Sequence, residues 1–139
     1  MKTPKPSPRS ACPINLTLET VGDAWSLLIV RDMAFKGYKT YNEFLNAGES
    51  IATNILSERL RRLESVGIID KRRDPQDARR FIYRLTEKGF DLAPLMLDMV
   101  LWAARHAPAD VPEAVLTQLR SDRDGFLDRL RVAWAAGST

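Results

Sequence analysis

Apolar side chains recur every three to four residues along the N-terminal half of the chain, which is the spacing of one face of a helix. This pattern predicts helices over residues 14–21, 24–36 and 41–47, and a glycine follows each of them, as is common at helix ends. Thr40 followed by Glu43 predicts a capping box, in which the two residues satisfy free backbone N–H groups of the third helix.

The middle of the chain predicts a fourth helix followed by a β-hairpin. Ser50 is the predicted N-cap of a helix over 51–66, which has an apolar stripe on one side and polar residues on the other. Beyond it the apolar period changes to two. This change predicts strands over 68–73 and 79–85, joined by a turn at 74–78.

Two longer helices are predicted in the C-terminal third. The first, over 86–105 and capped by Thr86, is apolar on nearly all sides, so we expect a second chain to cover part of it. The second begins at Pro112 and runs over 112–135, with a heptad register typical of helices that pack against a partner helix.

Composition excludes several classes of protein. The 139 residues are 45% hydrophobic and 28% charged, as in one soluble domain. The single cysteine, Cys12, excludes an intrachain disulfide, and with one histidine and no catalytic motif we expect no enzyme, no metal and no cofactor. No apolar stretch is long enough to span a bilayer, and the first residues lack the apolar core of a signal peptide. We therefore expect a cytoplasmic protein without a membrane partner.

The basic residues are concentrated although the net charge is only +3. Residues 56–84 hold nine Lys and Arg against five Asp and Glu, which indicates contact with a polyanion, although a solvated charged face explains the charge equally well. The third and fourth helices, joined by a short turn, have the shape of a helix-turn-helix, and one helix with short polar side chains fits a DNA major groove. The candidate DNA-binding residues are Ser50, Thr53, Asn54, Ser57, Arg61, Arg62, Lys71, Arg72, Arg73, Arg79 and Arg80.

Four stretches of the chain, in order, resemble the HxlR-type winged helix-turn-helix regulators, which are relatives of the MarR family. These stretches are CPINLTLETVGDAWSLLIVRDM, TYNEF, ATNILSERLRRLESVGIIDKR and RRFIYRLTEKGFDLAPLM. The resemblance implies a homodimer that binds double-stranded DNA at a pseudo-palindromic operator and represses or activates neighbouring genes. It makes 51–66 the recognition helix in the major groove and 74–79 the wing at the minor groove. The alternative is a winged-helix module that binds proteins and no specific DNA sequence.

The expected fold class is mainly α (α+β), a winged helix-turn-helix with long C-terminal dimerisation helices. We expect residues 1–11 to be a disordered basic tail and 12–105 to be the DNA-binding domain with its dimerisation helix. Residues 106–139 extend past the usual end of the family and are expected to form a helical extension.

Two hypotheses concern regulation. In some relatives a cysteine at the place of Cys12 senses oxidants, so the resemblance implies a redox-sensing candidate, whereas the alternative is a small buried hydrophobic residue near the dimer interface. A small-molecule effector is the second hypothesis. We expect it in a crevice lined by Trp25, Phe90, Met96 or Trp102, although aromatic and Met residues at helical spacing are usually core residues.

Overall fold

The computed structural model describes residues 7–137 and contains helices and one antiparallel hairpin, so the expected fold class is confirmed. Residues 1–6 of the predicted tail lie outside the described residues, whereas Arg9 lies against the first helix and donates to Asn15 at 2.8 Å. In chain order the elements are α1 (Pro13–Val21), α2 (Ser26–Phe35), α3 (Tyr41–Leu45), α4 (Thr53–Ser65), β1 (Ile69–Asp74), β2 (Asp77–Leu85), α5 (Glu87–Phe90), α6 (Ala93–His106), α7 (Glu113–Ser121) and α8 (Arg123–Ala136).

The start of α3 agrees with the sequence, and the start of α4 does not. The Glu43 amide donates to Thr40 Oγ1 at 3.3 Å and the Thr40 amide donates to Glu43 Oε1 at 3.1 Å, so the predicted capping box is confirmed. The prediction of Ser50 as the N-cap of α4 is wrong, because Ala52 holds that position. Ser50 adopts a left-handed φ of 57°, and the chain then runs extended so that the Ile51 side chain enters the core.

The hairpin is tighter than the sequence predicts. Ile69 pairs with Leu85 and Asp74 with Asp77, so β2 begins at Asp77 and only two residues form the turn, instead of the predicted five. Asp74 accounts for this, because its Oδ1 accepts the Gln76 amide at 2.9 Å and its Oδ2 binds Arg80 at 2.6 Å. These contacts fold the chain back at once.

Each of the two predicted C-terminal helices is divided. The first consists of the one-turn helix α5 and of α6, which starts anew where Pro94 occupies its first turn. The second is interrupted at Asp122, whose side chain accepts the Gly125 amide at 3.0 Å and caps α8. The heptad register therefore does not run along one helix, and Leu130 and Trp134 of α8 pack on the core of their own chain.

The core lies between α2, α4, the base of the hairpin and α6. Val30, Leu56 and Leu63 are fully buried at its centre. Trp134 covers one side, where its ring stacks on Phe90 with centroids 4.7 Å apart and its Nε1 donates to the Leu85 carbonyl at 3.1 Å. This packing fixes which side of α4 is left for solvent.

Candidate nucleic-acid interface

The outer side of α4 carries the polar residues predicted to contact DNA. Burial of Leu56, Leu60 and Leu63 turns the opposite side outward, so Thr53, Asn54, Ser57 and Arg61 are exposed. They lie on a helix whose inner side is fixed by packing, so the polar side chains keep a defined direction. A helix of this kind presents its side chains to a groove as one rigid surface.

Tyr41 joins α3 to α4, a role that its sequence position did not indicate. Its hydroxyl donates to the Thr53 carbonyl at 3.2 Å and accepts from Ser57 Oγ at 3.4 Å. By spacing alone, Tyr41 is one of the apolar contacts of the third helix. One signal was available in the sequence: a tyrosine at the first position of α3 has a hydroxyl that can reach across the turn between α3 and α4.

Arg62 is turned away from Arg61 and its polar neighbours. Its Nη1 donates to Asp23 Oδ1 at 3.3 Å and its Nη2 donates to the Glu19 carbonyl at the end of α1. Residues next to each other on a helix point about 100° apart, because a turn has 3.6 residues. The structure therefore separates Arg62 from the other α4 candidates.

Lys71 and Arg73 share the face of the hairpin that lies beside α4. Between them is the Phe81 ring, with the Lys71 ammonium 4.5 Å and the Arg73 guanidinium 4.6 Å from its centroid. A cleft of about 210 Å³ separates this face from α4 and is lined by Ser57, Arg61 and Lys71 among others. Residues from the helix and the hairpin thus meet at one basic surface, although Glu64 also borders it at 3.8 Å from Lys71.

The other three candidate arginines of the hairpin differ in their surroundings. Arg72 alternates with Lys71 and Arg73 along β1 and faces a small cavity beside α8. Arg79 is 92% exposed, with Asp77 3.2 Å from its Nε. Arg80 is bound to Asp74, and the pKa of that carboxyl is lowered because the Gln76 amide donates to it and Arg80 pairs with it.

The two regulatory candidates are placed in different ways. Cys12 precedes α1 and its thiol is free and exposed, so it is not a buried core residue of this chain. Of the residues expected to line an effector crevice, Met96 borders a cavity of about 340 Å³ between α2 and α6. Phe90 instead is buried under Trp134, and Trp102 is 67% exposed beside His106. The two rings therefore do not line one crevice within this chain.

An apolar surface remains open on α1 and α6. Its large members are Ile14, Leu18, Leu95, Met99 and Trp102, each between 38% and 72% exposed. Ile14, Leu18, Leu95 and Met99 line one cavity of about 590 Å³, so the two helices form a continuous surface. We call these five residues the α1–α6 face. Clusters of this kind on a small chain mark an interaction site.

Three helices, the polar side of α4 and a basic hairpin together define a winged helix-turn-helix. Residues 20–111 match the HxlR-like helix-turn-helix family, and the chain belongs to this family. Among residues 7–137, no helix has the length and apolar character needed to cross a membrane, and no group of three or more His, Cys, Asp or Glu side chains could hold a metal ion.

Similar proteins agree with this assignment. The chain is 36% identical over 107 residues to Rv3095 of Mycobacterium tuberculosis, described as an HTH-type transcriptional regulator, and the match covers 77% of this chain and 65% of that protein, just under two thirds. The crystal structure of PA1607, described as a transcription factor, has a TM-score of 0.66 at 36% identity and covers 75% of this chain and 72% of that one. The redox regulator HypR in its oxidised form has a TM-score of 0.62 at 31% identity, over 70% of this chain and 100% of that one.

Proposed function

We propose that the chain is a sequence-specific DNA-binding transcriptional regulator that acts in the cytoplasm as a homodimer. The observation that carries this proposal is the joint surface of α4 and the hairpin. Ser57 and Arg61 of the helix line one cleft with Lys71 of the hairpin, and Thr53 and Asn54 are exposed on the same helix. The remainder of α4 is either buried or bound to its own chain. The family of the chain and the regulators similar to it support the same conclusion.

The residues divide into two roles in this proposal. Thr53, Asn54 and Ser57 read base edges in the major groove, and Arg61 extends the contact to a base or a phosphate. The hairpin residues Lys71, Arg73, Arg79 and Arg80 bind phosphates or enter the minor groove. Arg62 takes no part, because it is bound to both Asp23 and the Glu19 carbonyl, and Arg72 takes none because it faces away from α4. Arg80 is paired with Asp74, but 53% of its side chain stays exposed, so it can still reach a phosphate.

The N-terminus of α4 supports a further phosphate contact. Its N-cap is Ala52, and no side chain accepts a hydrogen bond there, so the first amides of the helix have no cap. Uncapped amides and the positive end of the helix dipole favour an anion. Ser50 lies just before this point with an exposed side chain, which keeps it among the candidates for the same phosphate.

The α1–α6 face supports the dimer. Ile14 at 72% exposure and Trp102 at 67% would stay in water if the chain acted alone. A second copy covers this face in the proposed assembly and brings two recognition helices about 34 Å apart, one turn of duplex DNA. Met99→Asp is then expected to give monomers in sedimentation velocity, whereas Val132→Asp on α8, at a residue 69% exposed, leaves the dimer intact. Dimers that persist in Met99→Asp contradict this interface.

The first experiment is selection of binding sites from random duplex DNA, followed by fluorescence anisotropy between about 50 and 200 mM salt. We expect a palindromic site and an affinity that falls steeply with salt. Asn54→Ala should lose about 1–3 kcal/mol of discrimination at one or two base pairs. Gln118→Ala, a matched change on the exposed side of α7, should not. Absence of any preferred site would favour the alternative of a protein-binding module.

Regulation by redox or by an effector stays a prediction. The exposed thiol of Cys12 favours the redox alternative, and HypR, a redox regulator, shares the fold. Two Cys12 thiols, one from each copy, would be oxidised to a disulfide while hydrogen peroxide is reduced to water. Equal DNA affinity of the reduced protein, the oxidised protein and Cys12→Ser would exclude this response.

A further inference from the structure

The Asp23 carboxylate joins three elements of the DNA-binding domain. It lies in the loop between α1 and α2, and its Oδ2 accepts the amides of Trp25 at 3.1 Å and Ser26 at 3.0 Å, which holds the start of α2. Its Oδ1 accepts from Ser26 Oγ. Asp23 therefore already has a local structural role before α4 is considered.

The same carboxylate also binds α4 through two arginines. Arg59 Nε donates to Oδ2 at 2.8 Å, and Arg62 Nη1 donates to Oδ1 at 3.3 Å. Arg62 also reaches the Glu19 carbonyl, so the end of α1 is included in the contact. We call the three side chains Asp23, Arg59 and Arg62 the Asp23 clamp.

The clamp is shielded from solvent and strongly bonded. The Asp23 side chain is 20% exposed and that of Arg59 is 22% exposed. Burial acts to raise the pKa of Asp23, but hydrogen bonds from Ser26 and Arg59 outweigh it and lower the pKa far below its usual value. Hydrogen bonds between charged groups are shorter and stronger than neutral ones, so this contact resists deformation.

The clamp connects the proposed dimer surface with the helix proposed to read DNA. Asp23 lines the same cavity as Ile14 and Leu18 of the α1–α6 face, and its arginine partners belong to the helix that carries the polar candidates. Arg59 and Arg62 project from α4 away from Asn54 and Arg61, so they are available for an internal contact. In the proposed dimer, where a second copy covers the α1–α6 face, the angle between α1 and α4 would set the distance between the two recognition helices.

We propose that Asp23 is a positioning residue that fixes α4 relative to α1 and thereby determines the spacing of the two half-sites that the dimer accepts. This inference rests on the proposed function, because it requires two copies and two half-sites. A rigid link would select one spacing, since half-site separation follows from the geometry of the dimer. A weakened link would let each α4 adjust to several spacings.

Two variants test the clamp from opposite sides. Asp23→Asn keeps a side-chain oxygen for the amides of α2, because Asn and Asp are equally good caps, but it removes the charge that binds the arginines. Arg59→Gln removes the closer of the two arginine partners and leaves the start of α2 untouched. It therefore tests the clamp even if Asp23→Asn is destabilised. Glu87→Gln is the matched control, because it breaks a 3.2 Å ion pair between α5 and α8.

The measurement is affinity for duplexes that carry two selected half-sites at spacings varied one base pair at a time, beside a duplex with one half-site. We expect wild type and Glu87→Gln to prefer one spacing about tenfold over its neighbours. Asp23→Asn and Arg59→Gln should flatten this preference to about twofold while affinity for the single half-site stays within about threefold of wild type. A merely structural role would lower both affinities together.

Each outcome decides one of the two proposals. Clamp variants that retain the wild-type spacing profile, or that lose single-site and paired-site affinity in parallel, overturn the role of Asp23. A wild-type protein that shows no gain from a second half-site overturns the homodimer of the proposed function instead. Far-UV circular dichroism and sedimentation of each variant confirm that folded dimers are being compared.

Discussion

Replacement of Gly89 by alanine provides the sharpest test of the packing beneath the hairpin. Gly89 lies in α5 against the start of the hairpin, and a Cβ added there would come 2.1 Å from the Ile68 carbonyl oxygen and 2.9 Å from Leu85 Cδ2. The same carbonyl accepts the Thr86 amide and the Thr86 hydroxyl, both at 3.1 Å. The backbone at Ile68 or Gly89 must therefore shift, and this shift strains the hydrogen bonds from Thr86 to the Ile68 carbonyl.

The magnitude follows from three opposing effects. Alanine in place of glycine inside a helix ordinarily stabilises by about 0.5–1 kcal/mol. Overpacking costs about 1–3 kcal/mol, and one weakened hydrogen bond costs about 1 kcal/mol more. The net loss is about 1–3 kcal/mol in the free energy of unfolding, which for a chain of this length lowers Tm by about 4–10 °C.

Gly137→Ala is the matched control for this change. Gly137 ends α8 with a φ of −76°, and a Cβ there would come no closer than 3.6 Å to its neighbours. We expect its stability to stay the same or to rise by up to about 1 kcal/mol, because alanine restricts the unfolded chain. Urea unfolding and thermal melts followed by circular dichroism measure both variants. A Gly89→Ala protein as stable as wild type would refute the reasoning.

Three further predictions address the interface and the core. Arg79→Ala, at a hairpin arginine that is 92% exposed, should weaken binding to operator and random DNA alike and reduce the salt slope by about 1. A loss confined to the operator would contradict a phosphate role. Trp134→Ala removes the stack on Phe90 and the hydrogen bond to Leu85. It should lower the free energy of unfolding in urea by about 2–4 kcal/mol, and an unchanged midpoint would contradict this role of Trp134. The pKa of Asp23 is lowered in the folded protein, so its carboxylate stabilises the fold at neutral pH and this stabilisation is lost as the pH falls below 3.8. The free energy of unfolding of Asp23→Asn should therefore fall less steeply than that of wild type between about pH 4 and 2, and equal slopes would contradict this contribution.

Local signals predicted the order of helices and hairpin correctly. The Thr40 capping box is confirmed because both partners lie within one turn of helix, so nothing distant can alter them. Ser50 failed as a cap because Ile51 must reach the core, and burial of that side chain outweighs a local hydrogen bond. Contacts between neighbours in sequence are predictable, and contacts set by the core are not.

In the candidate site, too, contacts set by tertiary packing could not be predicted from the sequence. Sequence spacing places Arg61 and Arg62 together, yet the partner of Arg62 is Asp23, 39 residues earlier in the chain. Arg72 and Arg73 alternate across the hairpin, and only packing decides which face lies beside α4. The basic block therefore predicts where an interface lies, but not which of its arginines belong to it.

The ordered tip of the hairpin has a consequence for the entropy of binding. Asp74 already holds the Gln76 amide and the Arg80 guanidinium, so the backbone of the turn has little freedom left to lose. Fixing one residue that was free costs about 1–2 kcal/mol in conformational entropy. A polyanion that meets this hairpin avoids most of that loss and has only exposed side chains, such as that of Arg79, to immobilise.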